Sequence, residues 1–397
     1  MFITFSDDTP TYLVSSKTIK AFCKILGLAL LIYVTPLFAN EDIPSPPLLT
    51  SDLVPPQYHY RIPTDLSDGW KVGNLQKEKI DLNRISRGID KVLTGNIPEV
   101  RSLLVIRHGK IMLDEYFNGG TAKDAHALYS CTKSVFSTVY GIAQDQGLLK
   151  LNEKVYDFYP GERSKAGWDS RKDSITIGML LAMTSGLNCD DAPVTGSPCW
   201  QDIDQSTDWL SFCLELPLNH PPGTTWSYNG SCLVLLSNLI IQKTGMTMTQ
   251  YADKYLLQPL GIQGDSWTVG PAGVTRVDSG LVWKPRDMAK LGQLYLNRGL
   301  WDGNRIVSEA WVKDATEVHA PPGQAFGHDY GYLWHIQNMT FHGRTVKVFY
   351  ANGYMGQDIF VSPDADLVCV MTADSQKTQI YTMEEHLFED YILGSFN

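Results

Sequence analysis

The sequence predicts an α/β (α+β) protein. One antiparallel sheet is built from strands at both ends of the chain, helices flank it, and an all-α lobe is inserted between the sheet segments. Three observations predict this: strand-like runs near residue 100 and again after residue 345, a series of apolar helical stripes between them, and a single Ser-x-x-Lys at the head of the first long stripe.

The first strand signal is the apolar run Ser102 to Ile106. Arg107-His108-Gly109-Lys110 then makes a turn, and Ile111 to Phe117 alternates, which together read as a hairpin. From Ser130 to Gln146, Val135, Phe136, Val139, Ile142 and Ala143 share a helical face that Gly147 closes. Ile175 to Met183, Leu233 to Lys243, Thr247 to Leu257 and Arg286 to Leu296 read as further helices. Val346 to Ala351, Gln357 to Ser362 and Leu367 to Thr372 read as strands, and Glu384 to Leu393 as a last helix. A site is expected where sheet and helical lobe meet.

The 397 residues are 43% apolar and 19% charged, as in a globular chain. A formal charge of −10 from scattered acids argues against nucleic acid or an anionic membrane surface as the main partner. Lys17, Lys20 and Lys24 precede the apolar run Ile25 to Val34, with Ala39 at the cleavage position. This pattern predicts a signal peptide over 1–39, hence a periplasmic or secreted protein with no stable membrane span once the signal is removed. An uncleaved anchor is the alternative. Residues 40–69 begin with a proline-rich stretch and are expected to be a linker, with the folded domain over 70–397 and its helical lobe over roughly 130–325. Export makes disulfides available, and Cys189 with Cys199, flanking a short loop, is the candidate pair.

Ser130-Cys131-Thr132-Lys133 carries the chemistry. Positions i and i+3 share a helix face, so hydroxyl and amine can meet. Burial and the positive end of the helix dipole are expected to push the Lys133 pKa toward neutrality, so that it takes the serine proton. The helix start also aims main-chain N–H groups at a carbonyl under attack. There is no Gly-x-Ser-x-Gly, no His-Glu-x-x-His, no paired Cys-x-x-Cys and no glycine-rich phosphate loop. The reading needs no metal or organic cofactor. His126, four residues before Ser130, is weighed as a site contact and read as structural.

The stretch His126 to Ser137 (HALYSCTKSVFS) resembles the nucleophile segment of the serine β-lactamase and penicillin-recognising superfamily. SLLVIRHGK, GLLKLNEKVYDFYP, ITIGMLLAMTSGL, PPGTTWSYNGS, DMAKLGQLYLNRGLWDG, YGYLWHI and ANGYMGQDIFVSP follow in the family's order. The similarity covers roughly residues 70 to 395 and is closest to the branch holding class C β-lactamases, family VIII esterases and 6-aminohexanoate-dimer hydrolases. It implies a β-lactamase/transpeptidase-like fold and a catalytic tyrosine, here Tyr228, relaying protons among Ser130, the leaving group and water. It also implies oxyanion donors from the N–H groups of Ser130 and Tyr354.

Two departures matter. The asparagine expected two residues after the tyrosine is replaced by Gly230, with Asn229 adjacent as its only candidate substitute. The Lys-Thr-Gly expected on the facing strand is Ala351-Asn352-Gly353, so the lysine that greets a substrate carboxylate is absent. Trp226, Tyr330 and Trp334 are candidate pocket walls, and Asn229 and Gly353 candidate substrate contacts. These features imply an exported serine hydrolase acting on small esters, linear amides or short peptide-like substrates. The alternatives are a β-lactamase or D-amino-acid peptidase, and an inactive binding or sensor module on the same fold. Oligomeric state is left open.

Overall fold

The computed structural model describes residues 57–192, 196–322, 324–377 and 380–396. The expected signal peptide and most of the proline-rich stretch lie outside these residues. None of the described helices is long and apolar enough to cross a membrane.

The strands are β1 (Lys71–Val72), β2 (Val100–Arg107), β3 (Lys110–Tyr116), β4 (His126–Ala127), β5 (Ser266–Trp267), β6 (Leu281–Trp283), β7 (Leu300–Trp301), β8 (Asn304–Arg305), β9 (Asp329–Tyr330), β10 (His335–Phe341), β11 (Arg344–Gly353), β12 (Gln357–Ser362) and β13 (Leu367–Ala373). Eight of them form one sheet in the order β1-β3-β2-β13-β12-β11-β10-β9. The two ends of the chain meet where β2 pairs antiparallel with β13, as the terminal strand signals predict. β12 and β13 are buried at every position. Their apolar runs do not alternate because both faces of the sheet are covered.

Each face has its own cover. On one, α1 (Leu82–Leu93), started by Asp81 accepting the Arg84 N–H, brings Ile85 and Ile89 against Leu103, Val105, Phe360 and Cys369, together with Leu387, Phe388 and Ile392. The sequence reading passed over α1, whose apolar positions are sparse among charged ones. The opposite face receives α2 (Cys131–Asp145) and the helices that follow it. These include α3 (Leu233–Thr244), ended by left-handed Gly245, and α4 (Pro285–Leu296). At Gly292 of α4 a Cβ would lie 2.5 Å from Val368 Cγ1, so only glycine lets this helix sit down on β12 and β13. A last helix, α5 (Ile380–His386), continues as a wider π turn over Leu387–Ile392. The helix expected over Thr247 to Leu257 likewise splits into Met248–Ala252 and a π turn, Asp253–Leu257.

Two boundaries differ from expectation. The inserted lobe is not all-α. β6 pairs with both β4 and β5, β7 pairs with β8, and α4 belongs to the sheet's cover. The small sheet ties the nucleophile segment to the lobe, because Leu128 N–H donates to Leu281 O (2.8 Å). The folded body also begins before residue 70. Tyr58 donates its N–H to Asp90 Oδ1 (2.9 Å) and its hydroxyl to Glu115 (2.6 Å), and Tyr60 donates to Met112 O (3.0 Å). The two tyrosines lay apolar rings on the hairpin with their hydroxyls satisfied, so this stretch docks rather than linking.

Candidate active site

Ser130 stands at the N-cap of α2, yet its side chain makes no capping bond. The hydroxyl that would ordinarily accept from the first turn instead receives Lys133 Nζ at 3.0 Å. Tyr129, just before it, has φ +46°, a left-handed conformation costly for a bulky residue and held by its surroundings. The surroundings are specific. Buried Cys131 donates its thiol to Gln357 O (3.0 Å), Ser134 to Leu333 O (2.6 Å) and Ser137 to Tyr332 O (2.7 Å). The polar positions of α2 thus fix its start against β12 and against the segment entering β10.

The 353–356 turn closes the other side. A Cβ on Gly353 would lie 2.3 Å from Leu128 O and 3.3 Å from Cys131 N, so β11 ends in contact with the nucleophile turn and only glycine allows it. Among the described residues, neither Ser130 N–H nor Tyr354 N–H donates to a main-chain carbonyl. Both donors implied by the family resemblance therefore stay uncommitted to main-chain carbonyls.

Lys133 is 3% exposed. Its ammonium also donates to Asp278 O (2.9 Å) and lies 4.7 Å from the centre of the Tyr228 ring. The expected drop in its pKa does not occur. Burial pulls it down, but Tyr228, Asp278 and Asp191 together outweigh that, and the net shift is upward. Tyr228 is the largest raising influence and Asp278 the next; the third is a carboxylate the sequence reading did not use. Asp191, partly exposed as a residue, turns its carboxylate inward toward Lys133, accepts from Ser231 N–H (2.9 Å) and Ser231 Oγ (2.8 Å), and is pushed up to about 6, chiefly by desolvation of that carboxylate. The signal for it was the Cys189-Asp190-Asp191 run, whose cysteine is disulfide-bonded to Cys199. Cys189, Asp191 and Cys199 are the described residues whose metal-type ligand atoms converge, but both sulfurs are spent on that bond.

The remaining candidates divide. Trp226 stacks on Tyr228 (5.8 Å, 29°) and its main-chain N–H donates to Gln324 Oε1 (2.9 Å). Tyr330 is buried behind Trp226 (5.6 Å). Trp334 is a core residue rather than a wall, fully buried against Tyr295 (4.4 Å) and Phe349 (5.5 Å). Asn229 is not a free substrate contact either. It is 1% exposed and donates Nδ2 to Ser185 Oγ (2.8 Å), a neighbour's position turned away from the one Gly230 holds. His126 pairs with Trp283 in the small sheet and does not bond Ser130. A residue missed in the sequence is Phe326, 57% exposed with φ +57°, set edge-on to both Trp226 and Tyr228 (5.2 and 5.4 Å). No local pattern marked it, because the loop meets Tyr228 only in the folded chain. Asn352, in the middle of the departed triplet, is committed to Asp358 Oδ1 (2.7 Å).

Known proteins resemble this arrangement. The chain is 25% identical over 223 residues to 6-aminohexanoate-dimer hydrolase of Paenarthrobacter ureafaciens, covering 53% of this chain and 56% of that one. It is 26% identical over 178 residues to Protein flp of Staphylococcus aureus strain MW2, covering 42% and 34%. The matches thus span about half or less of those relatives' lengths. In fold, it superposes on a family VIII carboxylesterase with TM-score 0.62 at 18% identity, over 78% of this chain and 96% of that one. It superposes on the octameric penicillin-binding protein homologue from Pyrococcus abyssi with TM-score 0.60 at 21% identity, over 78% and 77%. The sequence model of the Beta-lactamase family matches residues 92–386, and with the nucleophile turn, facing strand and lobe in place the chain belongs to that family.

Proposed function

We propose that the protein is a serine hydrolase that cleaves small uncharged esters or linear amides through an acyl-enzyme on Ser130. The observation that carries the reading is the 3.0 Å contact between Ser130 Oγ and a buried Lys133 that also lies under Tyr228. Because the Lys133 environment favours the ammonium, Tyr228 is the proton acceptor in this scheme. The ammonium orients Ser130 Oγ and stabilises Tyr228 as the phenolate, which takes the Ser130 proton and becomes the phenol as Oγ attacks. Tyr228 then delivers the proton to the leaving group, and the same pair activates the water that releases the acyl group. The N–H groups of Ser130 and Tyr354 receive the oxyanion.

Substrate class follows from what the site lacks. With Ala351 in place of the lysine and Asn352 bonded to Asp358, the facing strand offers no cation for a substrate carboxylate. The mouth is aromatic instead, formed by Trp226, Tyr228 and Phe326. The names of the relatives, a 6-aminohexanoate-dimer hydrolase and a family VIII carboxylesterase, agree with linear amides and esters. The bonded Cys189–Cys199 pair suits an oxidising compartment, in line with export through residues 17–39.

A fluorophosphonate probe should label Ser130 in the wild type and not in Ser130→Ala, with hydrolysis of short-chain nitrophenyl esters lost in parallel. Unlabelled wild-type protein would instead mark an inactive binding module. Turnover of a chromogenic cephalosporin as fast as of nitrophenyl esters would restore the β-lactamase alternative.

A further inference from the structure

We infer that Asp191 fills the role left open by Gly230: it is a positioning residue that holds the Lys133 ammonium against Ser130. The inference rests on the hydrolase reading above. The family pattern puts an asparagine where this chain has Gly230. A Cβ there would lie 2.2 Å from Lys133 Cε, 2.8 Å from Lys133 Nζ and 3.1 Å from Asp191 Oδ2. The volume a side chain at 230 would occupy is therefore taken by the lysine and the carboxylate, which face each other across it.

The carboxylate is anchored from three directions. Ser231 donates both its N–H and its hydroxyl to it, Asp191 N–H donates to Tyr228 O (2.7 Å), and the Cys189–Cys199 bond brackets the segment. Two of the three donors on Lys133 go to Ser130 Oγ and Asp278 O, leaving one on an ammonium flanked by Asp191 and Tyr228. The other groups that act on Asp191 are Asp278, across Lys133, and Arg276, which is paired with Asp204 and Asp278. The Cys232 thiol lies beyond Ser231. The negative charge of a fixed carboxylate, acting across the gap at Gly230 rather than as a direct ion pair, adds to that of Tyr228 and Asp278 in keeping the lysine charged despite burial, and biases its direction. Burial has raised Asp191 to about 6, so protonation near that pH releases its hold on Lys133.

The test is the pH dependence of ester hydrolysis by the full protein, with fluorophosphonate labelling of Ser130 measured in parallel. Wild type is expected to show an acid inflection near pH 6 that Asp191→Asn abolishes, with kcat reduced about tenfold and KM unchanged. In the same variant the alkaline fall, set by loss of the Lys133 proton, moves down by about one to three pH units, the effect of removing a nearby opposite charge. Ser231→Ala, which removes a donor to the charged form, should move the acid inflection upward. Should Asp191→Asn fail to fold, that upward movement decides alone. Labelled Ser130 with profiles unchanged in the variants overturns this inference only. Absence of labelling in wild type overturns the hydrolase reading on which it stands.

Discussion

Two pairs of carboxylates turned into the protein lie beneath the two sides of the candidate site, and they differ in one respect. Under the start of α2, Asp191 and Asp278 share their surroundings with Lys133 and Arg276. Under the 353–356 turn, no cation among the described residues pairs with Asp358 or Glu384. Glu384 is 0% exposed, neither of its oxygens receives a hydrogen bond, and Asp358 Oδ2 is equally unpartnered. Glu384 lies so close to Gly356 that a Cβ there would sit 2.5 Å from Oε1. Both acids are pushed up, Asp358 to about 7, burial being the largest cause for each. Two adjacent carboxylates in a dry site cannot both ionise, so this pair keeps a proton and uses it as the missing donor. The difference teaches that cations decide what a buried acid is for. Beside Lys133 the acids add to the negative surroundings that favour the ammonium. Without a cation the acid clamps Asn352 and the turn that carries Tyr354.

The largest effect that would break this contrast is at Lys133. Lys133→Ala removes the ammonium and leaves Asp191 and Asp278 facing each other, so kcat/KM on a nitrophenyl ester should fall by about 10²–10⁴, or roughly 3 kcal/mol or more. Ester turnover within a fewfold of wild type would refute its assignment. Next, the double change Cys189→Ser, Cys199→Ser opens a loop of sequence separation 10, for which about 2–3 kcal/mol of stability should be lost in urea melts. That variant should also loosen Asp191 while leaving the Asp358–Glu384 pair untouched, which the pH profile of hydrolysis would register.

The second cluster is sharpened by stability against pH. The acids in it have folded values above those of the unfolded chain, so the folded state holds more protons between about pH 4 and pH 7. Their contribution is complete below the unfolded value and is lost as pH rises through the folded one, at about 1.4 kcal/mol per pH unit for one proton. Glu384→Gln supplies a permanent donor and should flatten that decline between pH 5 and 8, measured by urea denaturation. Parallel slopes in variant and wild type would mean that no proton is shared. The smallest effect concerns substrate rather than charge. Phe326→Ala should raise KM for aryl esters by several-fold, about 1 kcal/mol of ring contact, while acetyl esters are little affected. Equal changes for both would deny Phe326 a place in the mouth.

Much of this was legible before folding. The hairpin, the three late strands and the helix opened by Ser130 lie within a few residues of their expected bounds, because each carries its own period and stop. Ser130, Lys133 and Tyr228 were legible from spacing and from the family's order of segments, and the structure brings Ser130 and Lys133 to 3.0 Å. Trp334 and Asn229 were misplaced because an aromatic or an amide near a motif looks the same whether it faces a cleft or the core. Only the packing of Tyr295, Phe349 and Ser185 around them decides. Asp191 went unused because its partner in sequence is a disulfide loop, while its partners in space come from residues 133, 231 and 278.

The sequence by itself determined the fold class, the candidate serine with its lysine one helical turn away, and the replacement of the facing strand's lysine by Ala351. These are local facts of period, spacing and residue type. The tertiary structure alone decided the protonation of Lys133, since a buried ammonium loses or keeps its proton according to which carboxylates lie within a few ångströms. Tyr228, Asp278 and Asp191, all distant from residue 133 in sequence, supply that charge here, and Asp278 adds its main-chain carbonyl at 2.9 Å.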